Sequence, residues 1–307
     1  ETGIAGGMSG SPAYINGRLI GAISLGAYDQ KKGDIFGITP IELMLNVAKR
    51  GMKPNPDYYS SGGFIGFRIS DFGFRNYLEN SLIPNSEFPI PHSEVPYTEQ
   101  KLSVEYDAIN PFFDSQMMQP QIPIAFSGLS AKAIDYIKPI LDRYGMYPVQ
   151  GSGGGSIEVD VPIEPGQVLG IEFARGDFSM FGYGTITYVE GDQILGFGHP
   201  MFGEGNVNLP LSVGYLQYVL PLRTRSVKMA LPVKPIGTLV QDRQTGIAGI
   251  IGSHPNYIPV DLHVKTADGI SKELHYEVIR HRGFSAGITV MGILSLIDAV
   301  DKSSGDS

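Results

Sequence analysis

Near the start of the chain, Gly6-Gly7-Met8-Ser9-Gly10-Ser11-Pro12 runs directly into Ala13-Tyr14-Ile15-Asn16-Gly17-Arg18-Leu19-Ile20-Gly21-Ala22-Ile23. Two apolar runs flank Asn16-Gly17, the dipeptide favoured where a two-residue turn needs positive φ at both central positions, so the spacing predicts a tight β-hairpin. The glycine-flanked Ser9 is thereby fixed on a turn at the mouth of a strand. A serine so placed stands clear of its neighbours while backbone N–H groups converge around it, which is the arrangement a nucleophilic serine uses. The plainer reading is a Gly/Ser turn that only starts a hairpin.

The remaining punctuation argues for the same kind of fold. Forty glycines and 22 prolines in 307 residues favour short strands and many turns over long helices, and 42% hydrophobic with 18% charged residues are globular values. Cysteine is absent, which excludes disulfides, thiolate metal sites and a cysteine nucleophile. The net charge of −8, with no offsetting Lys/Arg cluster, argues against nucleic acid. The longest mainly apolar run, residues 287–297, falls short of the ~20 residues of a membrane span. With no initiator Met and no signal sequence ahead of Glu1, the chain reads as a piece of a longer protein cut inside a domain.

Thr39-Pro40-Ile41-Glu42 has the form of a capping box, and Ile41, Met44, Leu45 and Ala48 share a face, predicting a helix over 40–50 stopped by Gly51. Residues 52–120 carry repeated prolines and aromatics and read as an extended connector, with some β-structure at 63–70. His92 falls there as a loop histidine. From 121 the pattern is regular: a strand at 122–126, a helix capped by Ser130, strands at 157–161, 168–174 and 183–189, a turn at Glu190-Gly191-Asp192, and a returning strand through His199 to Phe202. Strands continue to about 280, and His281, between Arg280 and Arg282, reads as solvated.

The run Gly-Gly-Met-Ser-Gly-Ser-Pro-x-Tyr-Ile-x-Gly-x-Leu-Ile-Gly-Ala resembles the peptidase S55 family of sporulation serine peptidases. Gly184-Thr-Ile-Thr-Tyr with Leu195-Gly-Phe-Gly-His199-Pro resembles that family's second signature, and Pro235–Gly249 a later strand pair. The resemblance implies a mainly β chain of trypsin-like barrel pieces with a few short helices. It divides the chain into the end of a peptidase domain (1–51), the connector (52–120), a second β-rich unit (121–300) and a polar tail (301–307). It further implies a serine endopeptidase acting on protein or peptide substrates without a cofactor, exported to a bacterial cell envelope or secreted. Ser9 is then the nucleophile and the amides of Gly7 and Ser9 the oxyanion hole.

In the family the histidine precedes the serine, whereas here His199 follows Ser9 by 190 positions. Three arrangements fit: the tail of one domain followed by a second, degenerate copy, which the truncated start favours and which puts the base and acid upstream of Glu1; two pieces that assemble as a permuted whole, with His199 as base; or one accidental match. Asp242 is a candidate acid for the permuted site, though a turn residue beside Arg243 and Gln244 is the simpler reading. No metal-binding or nucleotide-binding spacing is present. The competing class is a non-catalytic envelope module that keeps the serine turn for structure and binds other proteins.

Overall fold

The computed structural model describes residues 3–26, 36–58, 120–151, 159–221, 226–265 and 269–305, and these belong to one compact unit. The chain begins with a three-stranded sheet, β1 (Pro12–Ile15), β2 (Arg18–Gly26) and β3 (Phe36–Pro40), then helix α1 (Ile41–Ala48). Next come β4 (Ile122–Ser127), α2 (Ala131–Arg143) and β5 (Met146–Gln150). The strands β6 (Val168–Gly176), β7 (Ser179–Glu190), β8 (Gln193–Gly196), β9 (Gly205–Leu220), β10 (Val227–Arg243) and β11 (Gly246–Ile251) follow. β12 (Tyr257–Lys265), β13 (Ser271–Ile279) and α3 (Ser285–Gly305) complete it. The protein is mainly β with a large multi-stranded sheet, as the sequence leads one to expect.

The large sheet has the order β12-β13-β6-β9-β10-β11-β8-β7-β4-β5, and β6 also pairs with β7. That additional pairing joins β6, β9, β10, β11, β8 and β7 into a closed ring in which every neighbour is antiparallel, so no strand of the ring keeps a free edge along its full length. The main core includes Ile171 and Phe173 of β6, Leu209 and Leu211 of β9, Leu239 of β10 and Ile247 of β11. Helices α2 and α3 cover one side, bringing Ile137, Leu141, Ile288 and Met291 to the same cluster.

The Asn16-Gly17 turn forms as predicted, with φ of 50° and 74°, and Ile15 pairs with Arg18 across it. Helix α1 packs Met44 and Val47 against Ala22, Leu195 and Ala248, which ties the first sheet to the ring. Its capping box does not form. Pro40 is the N-cap without a side-chain bond, because Thr39 is paired in β3 opposite Ala22 and spends its hydroxyl elsewhere. Ser130 caps α2 as expected, accepting from Ala133 N at 3.3 Å.

Residues 159–161 are not a strand, and the returning strand ends at Gly196 rather than running to Phe202. Phe197 and Gly198 adopt φ of 69° and 70°, which breaks the ladder and turns the chain toward His199. The apolar run 287–297 lies inside α3, and no helix among the described residues is long and apolar enough to cross a membrane. The β-structure predicted at 63–70 and His92 lie outside the described residues.

Candidate active site

The turn that carries Ser9 accounts for its own amides in an alternating way. Gly6 N donates to Ser226 O (2.8 Å), Met8 N to Ala5 O (3.0 Å), Gly10 N to Ile23 O (2.8 Å) and Ser11 N to Met8 O (2.9 Å). Between them, the amides of Gly7 and Ser9 donate to no protein group among the described residues. The carbonyls of the same two peptides are held from behind: Gly6 O accepts from Lys228 N (2.9 Å), and Met8 O from Ser11 N. A trans peptide points its N–H opposite to its C=O, so fixing those carbonyls fixes the direction of the Gly7 and Ser9 donors. Gly7 and Gly10 reach this shape with φ of 86° and 93°, values glycine adopts without strain.

The turn sits on β7 and on the bend that follows β8. Thr185 N donates to Ser9 O (2.8 Å), Thr185 Oγ1 to Gly7 O (2.9 Å) and Thr187 Oγ1 to Gly10 O (2.7 Å). The approach is close enough to require glycine on both sides. A Cβ on Gly10 would lie 2.2 Å from Thr185 O and 2.4 Å from Phe197 N, and one on Gly184 would lie 2.8 Å from Ser9 O. Next to the bend, Thr39 Oγ1 donates to Gly198 O (2.6 Å) and lies 2.8 Å from Ser24 Oγ, so β2 and β3 also hold the residue before His199.

Ser9 and His199 are therefore brought to the same region by elements that are far apart in sequence, and both are buried, at 5% and 3% exposure. His199 Nδ1 is 2.8 Å from Pro200 O, an acceptor only, so the neutral imidazole carries its proton on Nδ1 and Nε2 is the basic nitrogen. Burial pushes its pKa down to about 4, against the pull of the Pro200 carbonyl. No hydrogen bond between Ser9 Oγ and His199 is present among the described residues. The ring of Phe197 stands 5.9 Å from that of His199, centroid to centroid.

Asp242 does not orient His199. Its buried carboxylate accepts from Met201 N (2.8 Å), Phe202 N (2.7 Å) and Gly203 N (2.9 Å), clamping the loop that leaves His199-Pro200. Burial raises its pKa while those amides pull it down. The contact with Pro200 O stands where a triad carboxylate would stand. His281, read as solvated, is fully buried between Tyr144, Phe202 and Phe284, with Gly283 N donating to its Nδ1 (3.0 Å) and Nε2 3.5 Å from Glu204 Oε2. Flanking arginines suggested water, but the chain passes under the aromatic layer at the β13–α3 corner.

Sequence reasoning missed Thr185, Thr187 and Lys228 as contributors to the site. The two threonines lie inside the quoted Gly-Thr-Ile-Thr signature, and Lys228 shows only as a lysine within the apolar run Val227-Lys228-Met229-Ala230-Leu231. Among the described residues, no group of His, Cys, Asp and Glu could hold a metal ion. No protein-family model, no curated protein and no solved structure matches this chain.

Proposed function

We propose that the chain carries a serine acyl-transfer site of the endopeptidase kind, with Ser9 as nucleophile, the amides of Gly7 and Ser9 as oxyanion donors and His199 as general base. The supporting observation is the alternation in the turn: among the described residues, every amide from Gly6 to Ser11 has a backbone acceptor except the two that an oxyanion needs. The packing of the Ser9 turn onto the Phe197–Gly198 bend favours the permuted arrangement, in which residues from both ends of the sequence build one site. Ser9 Oγ attacks the peptide carbonyl and its proton passes to His199 Nε2. The C–N bond then breaks as His199 returns the proton to the leaving amine, and water releases the acyl group by the reverse sequence.

Fluorophosphonate labelling tests this reading. Attack by Ser9 Oγ forms an O–P bond and expels fluoride while the hydroxyl proton goes to the base. The expected result is labelling that vanishes in Ser9→Ala and drops at least about a hundredfold in His199→Ala. Labelling unchanged in Ser9→Ala contradicts the proposal. The burial of both Ser9 and His199 favours one other reading, a binding module in which the turn serves structure alone; equal labelling of the folded wild type and Ser9→Ala supports it.

A further inference from the structure

Lys228 sits on β10 with only 6% exposure, and among the described residues no charged group offsets it: burial shifts its pKa, lowering it to about 8. An ammonium group in such a place is costly, and a methionine or leucine would fill the same strand position without that cost. What the lysine touches is specific. Its Nζ donates to Thr185 Oγ1 (2.8 Å), whose hydroxyl hydrogen goes to Gly7 O (2.9 Å). Its backbone N donates to Gly6 O (2.9 Å), and its own carbonyl accepts from Tyr183 OH. Lys228 therefore holds the carbonyls on both sides of Gly7, one directly and one through Thr185. A side chain on Gly7 would meet the Tyr183 ring at 3.0 Å and Lys228 Cβ at 3.4 Å, so the residue is packed against both.

We propose that Lys228 is the positioning residue of the oxyanion loop: its side chain, acting through Thr185, anchors Gly7 by its own carbonyl, while its backbone N holds the Gly6 carbonyl that sets the Gly7 donor, and its ammonium places a positive charge beside the loop. This rests on the serine acyl-transfer reading above. The ammonium polarises the Thr185 hydroxyl, which strengthens its bond to Gly7 O. It also lowers the energy of negative charge developing in front of the Gly7 and Ser9 amides, an effect enlarged by the low local dielectric. The titratable groups facing it from packed strands are Tyr183 on β7 and, beside Gly6, Tyr147 on β5; burial raises the Tyr183 pKa, so that hydroxyl stays neutral through the range in question. Above the lysine pKa the amine still bonds Thr185 but the charge is gone.

The test is the rate of fluorophosphonate labelling from about pH 6 to about pH 10, in the wild type and in four variants. The wild-type rate should fall roughly tenfold as the pH rises past that of Lys228. Lys228→Met should label at least about tenfold more slowly at neutral pH with no alkaline fall, while melting no lower than wild type because a buried charge has been removed. Lys228→Arg should keep the charge and lose the alkaline fall, Thr185→Ser should behave as wild type, and Thr185→Val as Lys228→Met. A wild-type rate that stays level through the alkaline range, or a Lys228→Met profile identical to wild type, overturns the proposal. If labelling is Ser9-dependent in those experiments, only the lysine clamp fails. If Ser9→Ala labels as fast as wild type, the underlying reading fails and takes the clamp with it.

Discussion

His199 is neutral in the folded protein because burial outweighs the pull of the Pro200 carbonyl on its charge. Its folded pKa of about 4 lies below the unfolded value of 6.5, so the unfolded chain binds the extra proton first as pH falls. The stability linked to it is complete above about pH 6.5, declines as the pH falls, and is lost by about pH 4, a change of about 3 kcal/mol. Urea midpoints measured across that window should drop in the wild type and drop much less in His199→Gln; parallel slopes would contradict the assignment. In catalysis the same shift puts the acid limb of Ser9 labelling near pH 4 rather than near 6.5, measurable on the free protein. At this scale the turn that carries Ser9 was legible in the sequence, because closely spaced glycines beside a serine and ahead of a hairpin decide their own backbone shape. Lys228 and Thr185 were not, since their meaning lies in touching Gly6 and Gly7 across almost the whole chain, and a single lysine among apolar residues reads as an outward-facing strand position.

The Ser9 turn and the Phe197–Gly198 bend are paired elements whose contact leaves no room for a side chain. Gly10→Ala imposes a positive φ on alanine and drives Cβ into Thr185 O and Phe197 N. The expected outcome is a fold that survives by circular dichroism but is weaker by about 2 kcal/mol or more, with Ser9 labelling lost. Full labelling in this variant would mean that the turn does not need its present seat. The loop after His199 depends on one carboxylate: Asp242→Ala leaves the buried amide of Met201 and the half-buried amides of Phe202 and Gly203 without that acceptor and should cost about 2 kcal/mol in a denaturant titration. Asn16-Gly17, the α1 face and the Ser130 cap were readable because each is decided within one turn of chain. The Thr39 capping box misled because a threonine in a capping pattern can also pair as a strand residue, and here the hydroxyl bonds to Gly198 O outside the helix. Helix α3 went unrecognised because its apolar residues, packed against α2 and β13, form a nearly continuous run without a clear stripe.

Across the molecule, ring closure turns a sequence separation of 190 residues into one region. The β6–β7 pairing brings Thr185 and Thr187 beneath residues 7–10, and a parallel bridge between Gly6 and Val227 stitches the same segment to β10. Periodicity marked the individual strands of β6 to β8, yet their closure into a ring and the docking of the first strands on it are long-range outcomes with no local signature. Because residues 3–26 and 36–58 are held to the ring by Ala22, Met44 and Val47 as well as by these hydrogen bonds, a chain cut by an introduced protease site between residues 61 and 115 should remain one particle. Size-exclusion chromatography of the cut protein should show both fragments co-eluting with Ser9 labelling intact; separation under native conditions would contradict the packing. The most direct measurement is peptide mass mapping of the fluorophosphonate-treated protein, beside His199→Ala. The account predicts one adduct, on the peptide containing Ser9, nearly absent from the histidine variant. An adduct elsewhere, or one on Ser9 that forms equally without His199, would contradict it.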